Sequence, residues 1–283
     1  MNTKYPFLLS IPHGGTEVPH EIAGRMLLTR KEILWYCDPG TRILFDLRDS
    51  VEVYIDTPIS RMVVDLNRPP LPLPPRDPDG IIKVRTIDGR DVYRPGQQPD
   101  TNLIHHLLLT WYFPYHQRID ELLDQHPVRI AFDCHSMLPY GSVEQKDAGR
   151  PRPLICLGNN GDRQGRPKKG GLATCPEAWI SELADAFRKV FPHDGDVAIN
   201  NPFSGGFISN AHFWRKGIPW IQIEINRSLY EPEHVSGHAA GETTEHLEVL
   251  RETIRDVLTG FWDTVAAGDA VGDKQPSRAA GQR

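Results

Sequence analysis

Short apolar or β-branched runs bounded by turn residues recur along the chain at 7–11, 51–55, 62–66, 129–132, 154–157, 197–199 and 220–225, and each predicts a strand. Between them apolar residues fall at helical spacing. Residues 104–125 read as a helix that Pro114 should bend or break. Residues 176–191 read as an amphipathic helix opened by Pro176, and 243–265 as another with a Thr-Thr-Glu start. Strands alternating with helices imply an α/β fold in which helices wrap a mainly parallel sheet.

Two regions depart from this rhythm. Residues 66–100 carry "NRPPLPLPPRDPDG" and then a hairpin-like "IIKVRTIDGRDVYR". Prolines this dense favour a rigid extended loop, and a long loop in a compact domain is often part of a site. Residues 145–174, rich in Gly, Lys and Arg, form a second such region and are expected to be mobile. From Gly268 onward the chain is polar and Gly/Ala-rich, so 268–283 are expected to be a disordered tail and 1–267 a single catalytic domain. There is no internal repeat.

A chain of 283 residues can bury a core that needs no staples. Its net charge of -5, with acids and bases interspersed, offers no basic stripe, which argues against a nucleic-acid partner. The four cysteines are widely spaced without a C-x-x-C pair and read as reduced, mostly buried residues. No run is long and apolar enough to span a bilayer, so no membrane partner is expected. The first residues, with one lysine and an apolar stretch cut off by Pro12 and His13, make a poor signal peptide. The expectation is a soluble cytoplasmic protein; its oligomeric state is open.

The candidate chemistry begins at "IPHGG", where His13 follows the first strand. In α/β sheets ligands bind beyond the carboxyl ends of the strands, and "FDCHS" puts His135 at the end of a later one. Either histidine alone reads as a hydrogen-bonded structural residue. Two at strand ends, far apart in sequence, can converge as metal ligands. A catalytic zinc takes three protein ligands and keeps a position for water. Glu17 and Asp38 are both available as the third, and Asp38 can equally be a helix N-cap; spacing does not choose.

In "WIQIEINRSLY", strand alternation puts Gln222, Glu224 and Asn226 on one face and Ile221, Ile223 and Ile225 on the other. If buried, Glu224 would have a raised pKa suited to a general base. "SRMVVDLNRPP" holds Arg61, Asp65, Asn67 and Arg68; Arg68 is either a carboxylate clamp or a partner of Asp65. The Gly205-Gly206 pair of "NNPFSGGFIS" lets backbone approach a ligand or another strand, and the absence of a following lysine excludes a P-loop. Ser10, Ser136 and Ser204 lie outside any G-x-S-x-G elbow, so a serine hydrolase is a weak reading.

Taken in order, "PHGG", "DLNRP", "YRPGQ", "PYH", "DCHS", "SGGFI" and "IQIEINRSLY" resemble the N-formylglutamate amidohydrolase (deformylase) family from about residue 7 to about residue 258. The resemblance implies a three-layer, phosphorylase/hydrolase-like α/β fold related to zinc carboxypeptidases. It also implies zinc-dependent amide hydrolysis, with one Zn2+ per chain. By position, the family's metal ligands fall on His13, Asp38 and His135, because "DPGTRILFDL" aligns without a gap; this favours Asp38 over Glu17. The zinc N-acetylmuramoyl-L-alanine amidases look similar, and their strand-borne glutamate is matched by Glu224. Departures lie in "CDPG" and in the "PLPLPPRDPDG" loop, which bear on substrate choice more than on metal chemistry.

With this resemblance, Glu224 is the expected base and proton carrier, and Arg61, Arg68 or Asn67 the donor to the oxyanion. Asp133 would orient a ligand, and His116 is a further candidate donor. The expected substrate is a small N-acyl amino acid, N-formyl-L-glutamate or a close relative. Its anchors would come from Arg68, Arg94, Arg227, Asn201 and the Gly205-Gly206 backbone. The alternatives are a zinc amidase for another N-acyl amino acid or peptide amide, and a catalytically inactive binding protein on the same fold.

Overall fold

The computed structural model describes residues 4–231 and 240–272. Six strands form one sheet: β1 (Tyr5–Ile11), β2 (Val51–Asp56), β3 (Ile130–Met137), β4 (Ile155–Gly158), β5 (Val197–Ile199) and β6 (Trp220–Asn226). Their order is β2-β1-β3-β6-β4-β5. β1, β2, β3 and β6 run parallel, whereas β4 is antiparallel to β6 and β5 is parallel to β4. The sheet is thus mixed and mainly parallel.

Eight helices accompany it among the described residues: α1 (His20–Ala23), α2 (Arg30–Tyr36), α3 (Thr41–Leu44), α4 (Thr101–Leu107), α5 (Phe113–Gln125), α6 (Glu177–Val190), α7 (Phe207–Lys216) and α8 (Ala240–Gly272). They bury the two faces of the sheet separately. Phe7, Leu9, Ile11, Phe132, Cys134, Ile221, Ile223 and Ile225 pack with α3, α6 and α8 in one core. Leu8, Ala131 and Trp220 pack with α4, α5 and α7 in the other.

The period-two alternation of the strands produces the site. On the α4/α5/α7 side, Leu8, Ala131 and Trp220 stand side by side, one step before Ser10, Asp133 and Gln222, with His135 paired to Glu224 beyond them. This face of the sheet therefore changes from apolar to polar toward the carboxyl ends of its parallel strands. Polar side chains buried at that end need partners or a ligand.

Four differences from the sequence reading have physical causes. Residues 62–66 form turns, not a strand: Val63 and Val64 N–H donate to Ser60 O, and Asp65 N–H to Ile81 O, while Met62, Val63, Val64 and Leu66 still bury completely or nearly so. Pro114 does not break its helix, because it lies in the first turn of α5, where no backbone donor is needed, after a π turn at Leu108–Tyr112. Helix α7, unread in the sequence, opens at Gly206 and stops at Gly217, whose φ of 70° suits glycine. Helix α8 runs through Gly272, so 268–272 continue a helix where a disordered tail was expected; 273–283 lie outside the described residues. No helix among the described residues is long and apolar enough to cross a membrane. Cys37, Cys134, Cys156 and Cys175 are all buried and free.

Candidate metal centre and active site

His13 leaves the end of β1, His135 stands near the end of β3, and Asp38 sits in the loop joining α2 to α3. That loop is tied to the sheet by Asp38 N–H donating to His13 O at 3.0 Å. One ligand atom from each of the three buried residues lies within 4.8 Å of the others. Asp38 Oδ2 is 3.1 Å from His135 Nδ1 and 3.6 Å from His13 Nδ1, and it accepts the Ser136 N–H at 3.2 Å.

The far side of each imidazole decides its tautomer. His13 Nε2 meets Asp65 Oδ1 at 2.7 Å, and His135 Nε2 meets Asp133 Oδ2 at 3.1 Å. A carboxylate only accepts, so each Nε2 carries a proton, and Nδ1 is the nitrogen that each imidazole turns toward Asp38. His13 Nδ1 is buried with no hydrogen-bond partner. At His135, the 3.1 Å contact between Nδ1 and Asp38 Oδ2 is bridged either by a proton on Nδ1 or by a cation that takes the proton's place. Two imidazole nitrogens, each backed by a carboxylate, and one carboxylate backed by the Ser136 N–H and Arg61 form a donor set that could hold a divalent metal.

Electrostatics agree. Burial opposes ionisation of Asp38, but the neighbouring His13 and His135 and the charge of Arg61 outweigh this and hold it well below the usual carboxylate range. Asp65 is likewise opposed by burial and held low by Arg61, His13 and Lys83. Burial disfavours a charge on His135, yet Asp133 and Asp38 raise its pKa well above the ordinary histidine value. A cluster that draws a proton onto a buried imidazole is one that a divalent cation suits.

Glu224, the register partner of His135, lines the same cavity of about 180 Å³ as the three ligands. Burial pushes its carboxyl up to about 7, with the Asp38 charge adding and His135 and Arg61 subtracting. Gln222 Nε2 donates to Glu224 Oε1 at 2.7 Å, which fixes one oxygen. A wider pocket of about 780 Å³ adjoins this cavity and shares Arg68, Ile87, Gln145 and Phe203 with it.

The remaining sequence candidates divide. Arg61 borders the inner cavity, 3.5 Å from Asp38 Oδ1 and 2.9 Å from Asp65 Oδ2. Asn67 lines the inner cavity and also braces it: its Nδ2 donates to Asp133 Oδ2 at 3.0 Å, and its Oδ1 accepts the Ile208 N–H at 2.8 Å. Arg68 stands where the two pockets meet and pairs with Asp79 at 3.2 Å, not with Asp65. Gly205 and Gly206 line the inner cavity, Asn201 the outer one. Arg227 also borders the inner cavity, but Glu231 at 2.6 Å and the Trp35 carbonyl at 2.9 Å hold its guanidinium.

Arg94 is a correction: it is exposed and lines neither pocket, in a segment tied by its backbone to Arg25. His116 is another: it bonds His212 Nε2 at 3.0 Å and Leu66 O at 3.1 Å and joins helices without lining either pocket. Glu17 is exposed and outside the ligand cluster. The sequence reading missed Lys83, whose buried Nζ is 3.0 Å from Asp65 Oδ2, and Arg152, which borders the inner cavity held by Asp147 at 2.7 Å. Neither has a sequence signal, since both come from irregular loops.

The fold and site define an α/β protein with a buried His-Asp-His candidate metal centre facing a carboxylate. The chain belongs to the N-formylglutamate amidohydrolase family, whose sequence profile matches residues 5–231; membership implies hydrolase activity. An N-formylglutamate amidohydrolase structure from Ralstonia eutropha JMP134 superposes with a TM-score of 0.66 at 21% identity, covering 90% of this chain and 94% of that one. A gene product of Agrobacterium tumefaciens superposes with a TM-score of 0.61 at 20% identity, covering 90% and 91%. A probable lipid kinase YegS-like protein of Pseudomonas fluorescens (strain Pf0-1) is 30% identical over 92 residues, 32% of this chain and 29% of its own length. The chain thus matches under a third of that curated relative.

Proposed function

We propose that this protein is a zinc-dependent amidohydrolase that cleaves the formamide of N-formyl-L-glutamate, or of a close N-acyl amino acid, to formate and the free amino acid. One observation carries the reading: in a chain of this family, the His13–Asp38–His135 cluster opens into the cavity that holds the buried carboxyl of Glu224. A divalent metal held by those three residues supplies Lewis acidity, lowering the pKa of water and polarising the amide carbonyl.

The chain's own residues do the rest. Glu224, with Oε1 held by Gln222, takes a proton from the attacking water on its other oxygen and passes it to the departing amide nitrogen. A carboxyl poised at about 7 exchanges protons in both directions near neutral pH. Arg61, steadied by Asp65, donates to the oxygen that gains negative charge. Arg68 receives a substrate carboxylate at the mouth of the inner cavity, beside the Gly205-Gly206 backbone.

The test is formate release from N-formyl-L-glutamate by purified protein, with and without a chelator and with zinc restored. Release that the chelator abolishes and zinc recovers supports the reading; no release from zinc-loaded protein overturns the substrate.

A further inference from the structure

Building on this amide-hydrolase reading, we propose that the outer pocket is a second binding site, one that takes an acidic peptide extension joined to the carboxyl side of the acylated residue. The acylated residue then occupies the inner cavity, and at least one further carboxylate lies beyond it.

Size gives the first argument. The inner cavity of about 180 Å³ suits a single small acyl amino acid, yet it opens into about 780 Å³ of further space. Arg68, Ile87, Gln145 and Phe203 line both, so a molecule anchored in the inner cavity leaves it directly into the outer one.

Charge gives the second. Arg68, Arg85, Lys146, Arg150 and Arg163 line the outer pocket against Asp79, Glu144 and Asp147. Two of those three carboxylates are already engaged, Asp79 by Lys83 at 2.5 Å and Arg68 at 3.2 Å, and Asp147 by Arg152 at 2.7 Å. Lys146 and Arg163 line the pocket and have no ion-pair partner among the described residues. An excess of cations in a concave site attracts anions and orients carboxylates. Pro78, Ile87, Pro202 and Phe203 add apolar wall for the extension's backbone and stems.

The experiment compares kcat/KM for N-formyl-Glu-Glu, N-formyl-Glu-Ala and N-formyl-Glu on the zinc-loaded protein. The expected result is a preference for the acidic over the neutral dipeptide of about fivefold or more. That preference should shrink at high salt and in the Lys146→Glu/Arg163→Glu double variant, whose folding is checked by thermal melting. Equal rates for the two dipeptides, or a preference that the double variant retains, overturn the proposal. If none of the three releases formate, the amidohydrolase reading has failed, and calorimetry with free Glu-Glu and Glu-Ala decides the pocket. Tighter binding of Glu-Glu that the double variant loses sustains the site; equal binding overturns it.

Discussion

His13 Nε2 lies 2.7 Å from Asp65 Oδ1, and this one buried carboxylate also takes Arg61 at 2.9 Å and Lys83 at 3.0 Å. Asp65 therefore aims a candidate metal ligand while pairing with two cations at once.

Replacing Asp65 with Asn keeps the shape and removes the charge. Metal affinity is expected to fall by about 10- to 100-fold, because His13 Nε2–H then meets a neutral amide oxygen in place of a carboxylate and becomes a less basic ligand. Stability should fall as well, by about 1–3 kcal/mol, since Arg61 and Lys83 each lose one charged partner and keep Asp38 and Asp79 respectively. Competition with a chromophoric chelator and urea denaturation check the two effects separately. Wild-type zinc affinity in this variant would refute the orienting role.

Glu224→Gln should bind zinc like the wild type and lose about 10²–10⁴-fold in turnover, the usual share of a general base. Metal content by elemental analysis, beside formate release, separates this outcome from a broken site. His135→Ala is its counterpart and should lose the metal itself.

His116 makes stability depend on pH. Burial, with the neighbouring His212 adding to it, pushes His116 down to about 3. An unfolded histidine titrates near 6.5. Above that value neither state binds the proton and nothing is lost. Between about 6.5 and 3 only the unfolded chain takes it up, so stability falls as pH falls, by up to about 1.4 kcal/mol per pH unit. Urea denaturation at pH 7.5 and 5.5 should show a steeper loss for wild type than for His116→Gln. Equal losses would show that His116 is protonated in the folded protein.

Gly206→Ala tests the packing behind the ligands without touching them. A Cβ there would stand 2.2–2.5 Å from the Asn67 amide atoms, so Asn67 must move. Its bond to Asp133 and its acceptance of the Ile208 N–H would go with it. The expected outcome is weaker zinc binding and lower turnover, with a loss of about 1–3 kcal/mol in thermal or urea unfolding. Unchanged zinc affinity would mean that Asn67 does not steady His135.

The parts of this site carried by strands were legible in the sequence. His13 and His135 follow apolar runs, and period-two alternation by itself assigns Glu224 and the three isoleucines of β6 to opposite faces. Loop residues were not, since no periodicity says where a loop returns. Asp38 needed the family resemblance to be preferred to Glu17, while Lys83 reaches Asp65 only through the folding of the proline-rich segment. Arg94 lies in that same region, where a backbone bond to Arg25 holds the chain and the residue lines neither pocket. Residues 62–66 show a related limit: an apolar run demands burial, which turns satisfy as well as a strand does.

The place of β6 in the sheet has a consequence for how the site is completed as the chain emerges from the ribosome. His13, Asp38, Asp65, Asp133 and His135 all belong to the first half of the chain, whereas Glu224 arrives with β6, which enters between β3 and β4. The residues that would grip a metal are thus synthesised well before the carboxylate that would use it. If Glu224 is the base, it would be in place only once β6 has joined the sheet.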